Sequence, residues 1–379
     1  MRRSPDSFDV GVVGGGPAGA TAATTLARSG LRVLLVEHSS RPAFKIGEGL
    51  PPAATPLLRD IGVSQHLEPD GHLRSYGNES AWGGPELQST LFLRDPNGQG
   101  WHLDRARFDA RLRDTARDEG ARVRTSVRMR CARRSSGGWQ LTLDANGRAT
   151  HALAAWLIDC TGRSSSVARA NGGVRIKEDR LVAWTSRFSL PGDRPGADDI
   201  DSTTLVESAP HGWWYTALVP PRQRVVVYLT DANDATAREA RTADGFMALL
   251  KKRRHLPARV IGRGYTIAGR PIAVAANTSR LVRAAGDGWI AAGDAALAFD
   301  PLSSQGILTA LYSGLRAAQA VASHLGGDRQ AIPEYLTRID AIYAAYLEHR
   351  RRYYGYERRW LRHEFWRNRC GARAVTASV

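Results

Sequence analysis

Of the 53 basic residues in this 379-residue chain only four are lysines: Lys45, Lys177, Lys251 and Lys252. The rest are arginines, a skew that records codon bias more than selection for phosphate contacts. The net charge of +16 still sets up a positive field, suited to acidic peptides, carrier domains or phosphorylated ligands. No basic stripe with regular aromatic interleaving occurs and no nucleic-acid module is recognisable, so a nucleic-acid partner is not expected. Cysteine is scarce: Cys131, Cys160 and Cys370 form no CxxC pair and no His/Cys metal spacing, and their odd count argues against a disulfide framework. Neither a structural disulfide nor a bound metal is expected. No apolar run approaches the roughly 18 to 20 residues of a membrane span. The first apolar run is broken by glycines and lacks a small-residue cleavage site, which points to a cytoplasmic protein.

What is present begins at once. Residues 8 to 13 (FDVGVV) read as a short buried strand, GGGPAG follows, and an Ala-rich run through Ala27 suits a helix that Gly30 stops. LRVLLVE is then a continuous apolar strand of the parallel-sheet kind, completing a βαβ unit. Within it, Gly14-x-Gly16-x-x-Gly19, with Ala18 between, sits where its physics requires. The first glycine makes the tight turn, the second lets backbone N–H groups approach a pyrophosphate, and the third packs helix on sheet. Glu37, 23 residues beyond Gly14, is placed to take ribose hydroxyls.

That motif alone does not separate NAD from FAD. A second segment does, running Gly293-Asp294-Ala-Ala-Leu-Ala-Phe-Asp300-Pro301-Leu-Ser-Ser-Gln-Gly306-Ile307 into a helix. A strand ending in Gly-Asp can set Asp294 on a ribityl hydroxyl. The helix opening at Gly306 and Ile307, preceded by Pro301, can face the electron-rich edge of a flavin. Two separated segments serving one extended cofactor point to FAD.

Between these pieces the pattern changes. Residues 101 to 119 end a strand and begin a helix with Phe108, Leu112 and Ala116 on one stripe, and residues 120 to 159 read as strands around an Asn146-Gly147 turn. Short β-rich runs fill 171 to 270, with one helix near 242 to 254, and a basic aromatic helical tail follows from 333. The expected architecture is α/β: a Rossmann-like FAD-binding domain with an inserted antiparallel β-sheet substrate region and C-terminal helices. Its expected boundaries are 1–75, 101–170 and 276–330 for the FAD domain, 76–100 and 171–275 for the sheet region, and 331–379 for the tail. The tail's aromatics, among them Tyr353, Tyr354, Tyr356, Trp360 and Phe365, are expected to pack back on the FAD domain.

GGGPAG, DRARFDARL, DCTGRSSSVAR and GDAALAFDPLSSQG, in this order over roughly residues 8 to 330, resemble the flavoprotein monooxygenase superfamily of the para-hydroxybenzoate-hydroxylase-like fold. KIGEGLPP and GNESAWGG look like its halogenase-related branch, and most like the LodB/GoxB-type maturases, which oxidise a tryptophan in a partner protein to build a quinone cofactor. The resemblance implies that Arg105 lies near the FAD pyrophosphate, and that Lys45 and Glu48, as candidate catalytic residues, stand in a loop beside the flavin ring. It also implies an FAD-dependent monooxygenase or oxidase acting on a tryptophan or other aromatic of a peptide or protein. The alternative is a hydroxylase or halogenase of a small or carrier-tethered aromatic, and a further one is a non-catalytic basic binding protein.

Halogenases of the branch carry a Trp-x-Trp-x-Ile-Pro segment, and about thirty residues past the Gly-Glu pair a lysine that handles hypohalous acid, a task a permanently protonated arginine performs poorly. Here the first site reads Gly212-Trp213-Trp214-Tyr215 and no lysine occurs between Lys45 and Lys177. Trp213 and Trp214 are expected to form an aromatic wall for a planar substrate, with His211 or Tyr215 as acid/base. No second GxGxxG follows a strand, which leaves the reductant open, a separate flavin reductase included.

Overall fold

The strand Ser7–Val13 lies inside an eight-stranded sheet in the computed structural model of the chain, which describes residues 6–39, 45–190 and 199–370. Val33–Val36 pairs on one side of it and Arg148–Asp159 on the other, both parallel; Arg122–Arg124 and Trp289–Ala291 extend the parallel set outward. All four residues of Val33–Val36 are buried, as a strand covered on both faces must be. The helix Pro17–Arg28 buries nine residues against the sheet and against the helix Gly306–Leu325. Their approach is close enough that a Cβ on Gly314 would lie 2.2 Å from the Ala18 carbonyl oxygen. The antiparallel strands Ala285–Gly286, Val127–Ser135 and Gly138–Ala145 complete the sheet, and Asn146 and Gly147 both take positive φ in the tight turn after Gly138–Ala145.

The chain divides into two compact units. The first comprises Met1–His72, Leu103–Glu178 and Thr278–Tyr343, and the second Leu73–His102, Asp179–Asn277 and Ala344–Val379. The helix Ala331–Tyr356 therefore belongs partly to each, and residues 371–379 of the tail lie outside the described residues.

The second unit is built on another eight-stranded sheet, in the order Thr266–Ile267, Leu181–Ser189, Gln223–Asp231, Gly212–Val219, Thr203–Ala209, Gly77–Ala81, Gln88–Leu91, with Ile272–Ala275 alongside Leu181–Ser189. Its pairs are antiparallel except Thr203–Ala209 with Gly77–Ala81, which is parallel. Phe246, Leu249, Leu250, Leu256 and Val260, from the helices Ala243–Lys251 and Leu256–Val260, join Phe188, Trp214, Val226 and Tyr228 in one buried cluster. Beside this core Arg224 is completely buried and ion-paired to both Asp199 and Asp201, while Arg259 joins Asp201 to Glu79.

The tail aromatics pack differently from the expectation. Tyr354 and Trp366 group with Trp82 and Trp213 of the second unit's sheet, with ring centroids 5.4 to 6.2 Å apart. Trp213 Nε1 donates to Tyr354 Oη and Trp366 Nε1 to the Ala209 carbonyl, while the buried Glu357 accepts from Gly83 N–H and Ser208 Oγ. Among the described residues no helix is long and apolar enough to cross a membrane.

Candidate functional site

The parallel register brings four loops to one edge of the first sheet. Val13 pairs with Val36 and with Asp159, and Asp159 pairs with Ala291. The residues that follow these strand ends are Gly14, Glu37, Cys160 and Ala292, so the glycine motif, the terminal acid, the DCTGR segment and the Gly-Asp segment all emerge side by side. That carboxyl edge is where open parallel sheets hold their ligands.

Each glycine meets a separate constraint there. Gly14 has φ +105° and a Cβ on it would stand 2.2 Å from the Cys160 carbonyl oxygen. A Cβ on Gly19 would stand 1.8 Å from the Gly14 carbonyl oxygen. Gly16 is unlike both: a Cβ there meets nothing within 4 Å, and the helix beginning at Pro17 has no side-chain cap. Open space over uncapped N–H groups suits an anion. Glu37 is buried, accepting from Gly15 N–H at 2.6 Å and from Ser39 N–H at 2.8 Å. Arg113 donates to the Gly15 carbonyl at 3.0 Å and so braces the loop from outside.

Gly293 has φ +61°, and its N–H donates to Ser313 Oγ. Asp294 is partly buried, with 38% of its side-chain surface open. Burial pushes its carboxyl above the usual carboxylate range, although Arg163, Arg175 and Arg105 act against that rise. The Arg105 influence ties this segment to the helix Arg105–Asp118, whose N-cap is Asp104. Past Pro301 the chain turns through Ser304 (φ +50°) into the helix Gly306–Leu325. Its first N–H groups again have no side-chain cap, and Gly306 is exposed with nothing within 4 Å of a Cβ. Two uncapped helix N-termini and a partly open carboxylate beside them in the chain fit the pyrophosphate, flavin edge and ribityl chain of FAD.

Not every candidate stands at that surface. Ala18 is buried and serves as a spacer: a Cβ on Gly293 would lie 2.7 Å from its own Cβ. Ile307 is also buried, so only its backbone can serve a ligand. Lys45 Nζ is ion-paired with Asp109 at 2.8 Å. Arg105 pairs with the same carboxylate and donates to the carbonyls of Ile46 and Gly47. Burial raises the Asp109 carboxyl, but Arg105 and Lys45 outweigh it and hold the carboxyl below its usual range. This knot fixes the Gly47-Glu48 loop. Glu48 is buried, its Oε2 accepts from Gly47 N–H, and its carbonyl accepts from Leu103 N–H.

The aromatic wall expected of Trp213 and Trp214 is not what forms. Adjacent residues of a strand point to opposite faces. Trp214 stacks on Tyr228 at 4.4 Å and meets Phe246 edge-on beneath the helices, whereas Trp213 meets Trp82 and Tyr354 on the other face. Both are 1% exposed, so they are core of the second unit. Tyr215 lies beside Trp213 and is 8% exposed. His211 is partly exposed, with Nδ1 3.1 Å from Asp234 and its ring 4.8 Å from that of His363. His211 stands in the turn just before the strand Gly212–Val219 that carries Tyr215. The strand Gly77–Ala81 carries Asn78 and Glu79, and Glu79 is ion-paired with Arg259.

The sequence expectations omitted Arg163, Arg175 and Arg113. Arg163 directly follows the Thr161-Gly162 turn, a cue present in the motif; Arg175 and Arg113 lie in unremarkable runs of a chain crowded with arginine.

Residues 7–345 match the family described as FAD binding domain. The chain is 28% identical over 368 residues, 96% of its own length and 97% of the relative's, to the FAD-dependent oxidoreductase LodB of Marinomonas mediterranea. Among solved structures, the myxobacterial chondrochloren halogenase CndH superposes with a TM-score of 0.83 at 26% identity, over 96% of this chain and 86% of that one. QhpG, described as a peptidyl tryptophan dihydroxylase essential for tryptophylquinone cofactor biogenesis, does so with a TM-score of 0.72 at 25% identity, over 98% of this chain and 80% of that one.

Proposed function

Because the chain belongs to the FAD-binding monooxygenase family, among its halogenase-related members, and is an FAD-dependent oxidoreductase, we propose that it oxygenates a tryptophan or other aromatic side chain carried by a peptide or protein. The observation that carries this reading is the run from residue 46 to 176 without one lysine, with Asn78 and Glu79 standing thirty and thirty-one places beyond Glu48. An ion-paired carboxylate offers no amine to hypohalous acid. The likeness to QhpG supports a polypeptide substrate, and the net charge of +16 suits an acidic one. A second reading is hydroxylation or halogenation of a small or carrier-tethered aromatic, and the likeness to the halogenase CndH favours its halogenation arm.

When bound, FAD supplies the two-electron chemistry with dioxygen that places oxygen on an electron-rich ring. The protein's part is binding, orientation and exclusion of water. In this reading the N–H groups of Gly16 and of the uncapped helix turn past Pro17 hold the pyrophosphate, and Glu37, already oriented by Gly15 and Ser39, accepts the ribose hydroxyls. Asp294 accepts a ribityl hydroxyl, and the N–H groups opening the helix at Gly306 and Ile307 face the flavin's electron-rich edge. Lys45 and Arg105 act through Asp109, fixing the loop that presents Glu48. Trp213 and Trp214 shape the sheet and do not contact the substrate.

Incubation with a separate flavin reductase and NADH as its electron donor, oxygen, a tryptophan-containing peptide and excess bromide tests the reading. Peptide product with added oxygen and no bromine is expected. Brominated product would overturn the argument from the missing lysine, and turnover of free indoles alone would transfer support to the second reading.

A further inference from the structure

Resting on FAD as the occupant of the first unit's site, we infer that Arg163 is the positioning residue that holds the Asp294 carboxylate as an acceptor for a cofactor hydroxyl. The backbone of the Gly-Asp segment and its side chain are held separately. Arg175 Nη2 donates to the Asp294 carbonyl at 2.8 Å, and Arg175 Nη1 donates to the Ala295 carbonyl at 3.0 Å. Ser165 Oγ donates to that same Ala295 carbonyl, so the main chain is clamped from the DCTGR side of the site. The carboxylate is left to Arg163, whose Nε lies 3.5 Å from Asp294 Oδ2. Arg163 is itself anchored, with Nη2 donating to the Phe299 carbonyl at 3.1 Å. Among the described residues Arg163 is the ion partner of Asp294.

The arrangement answers a specific difficulty. A carboxyl partly buried among protein atoms tends to protonate, and a protonated carboxyl can present an O–H where a hydroxyl ligand needs an acceptor. Burial does raise the Asp294 carboxyl, and three cations oppose it from three elements. Arg163 does so from the turn Gly162–Ser164, Arg175 from the strand Arg175–Lys177 and Arg105 from the helix Arg105–Asp118. Arg175 is spent on carbonyls and Arg105 on Asp109 and the Gly47 loop, which leaves Arg163 to hold the carboxylate.

The test is FAD affinity of the stripped full-length protein, followed by flavin fluorescence between pH 5 and pH 8. Wild type, R163Q, R163K, D294N and R163Q/D294N are compared. R163Q is expected to weaken FAD on the order of ten- to a hundredfold, the range for loss of a hydrogen bond made by a charged group. The loss should deepen toward low pH, because without Arg163 the raised Asp294 value climbs further and the acceptor form is depleted sooner. R163K should restore most of the affinity. In the D294N background R163Q should add little, since no carboxylate remains to be held. An R163Q effect that is flat with pH, or equally large in D294N, would overturn the inference and leave Arg163 a general anchor of the loop. Failure of the wild type to bind FAD at all would instead sink the cofactor placement on which the inference rests.

Discussion

Gly16→Val is expected to yield a folded, colourless protein. The site has open space on the protein's own account, because a Cβ at Gly16 meets nothing within 4 Å and its φ of −76° suits any residue. The valine therefore costs the fold little and occupies the approach to the uncapped helix N-terminus. The backbone contacts it blocks are charge-assisted hydrogen bonds of roughly 1.5–3 kcal/mol each, so FAD affinity should fall on the order of a hundredfold or more. Gly19→Val is the contrast. Its Cβ would stand 1.8 Å from the Gly14 carbonyl oxygen, so the turn itself must open. Absorbance in the flavin bands per mole of protein, read beside the melting temperature, separates the two. Gly16→Val should lose colour and keep its melting temperature, and Gly19→Val should lose both. Retained colour in Gly16→Val would place the cofactor elsewhere.

The second large effect concerns stability and lies in the second unit. Arg224→Met removes a fully buried guanidinium from between Asp199 and Asp201, whose side chains are 5% and 6% exposed. Arg259 and Arg263 remain beside them but cannot fill its place. Breaking a buried pair from one side costs about 3–5 kcal/mol, and urea unfolding should show a loss of that size. The sign of the pH effect is also fixed. Burial alone raises Asp201, but Arg224, Thr203 and Arg259 outweigh it and hold its carboxyl well below the usual range. Asp199 is likewise lowered against its burial, with Arg224 the leading cause. Such carboxyls stabilise the fold above their unfolded value of about 3.9 and lose that contribution as pH falls through their folded values. Arg224→Met raises the folded values, so its acid-unfolding midpoint should move to higher pH than the wild type's. A loss below about 1 kcal/mol, within the range of surface pairs, would show the cluster to be solvated.

The parts of this protein legible in its sequence are those where geometry leaves one residue type a choice. Gly14 and Gly19 are dictated by clashes a side chain could not survive, and Glu37 by the end of a short strand. Register then does the rest, since strands read correctly bring Gly14, Glu37, Asp159 and Gly293 to one edge without further information. Asp294 and the helix at Gly306 were legible for the same reason. Strand direction was not: nothing in the residues of Thr203–Ala209 says that it runs parallel to Gly77–Ala81. Nor does the aromatic spacing of Tyr354 and Trp366 say which surface they cover, because Trp82 and Trp213 offer the same contact chemistry as any other core. Trp213 and Trp214 could have been separated by strand alternation alone, which sends neighbours to opposite faces. Arg175 and Arg113 were hidden by abundance, arginines among many until their bonds to the Asp294 and Gly15 carbonyls single them out.

The most direct test of oxygenation on a polypeptide is mass spectrometry of a tryptophan-containing acidic peptide after turnover with reduced flavin under ¹⁸O₂. The account predicts heavy oxygen on the tryptophan of the peptide, dependent on the protein and lost in Gly16→Val. Heavy oxygen appearing only on free small aromatics, or an unmodified peptide alongside a protein that is yellow and consuming oxygen, would contradict it.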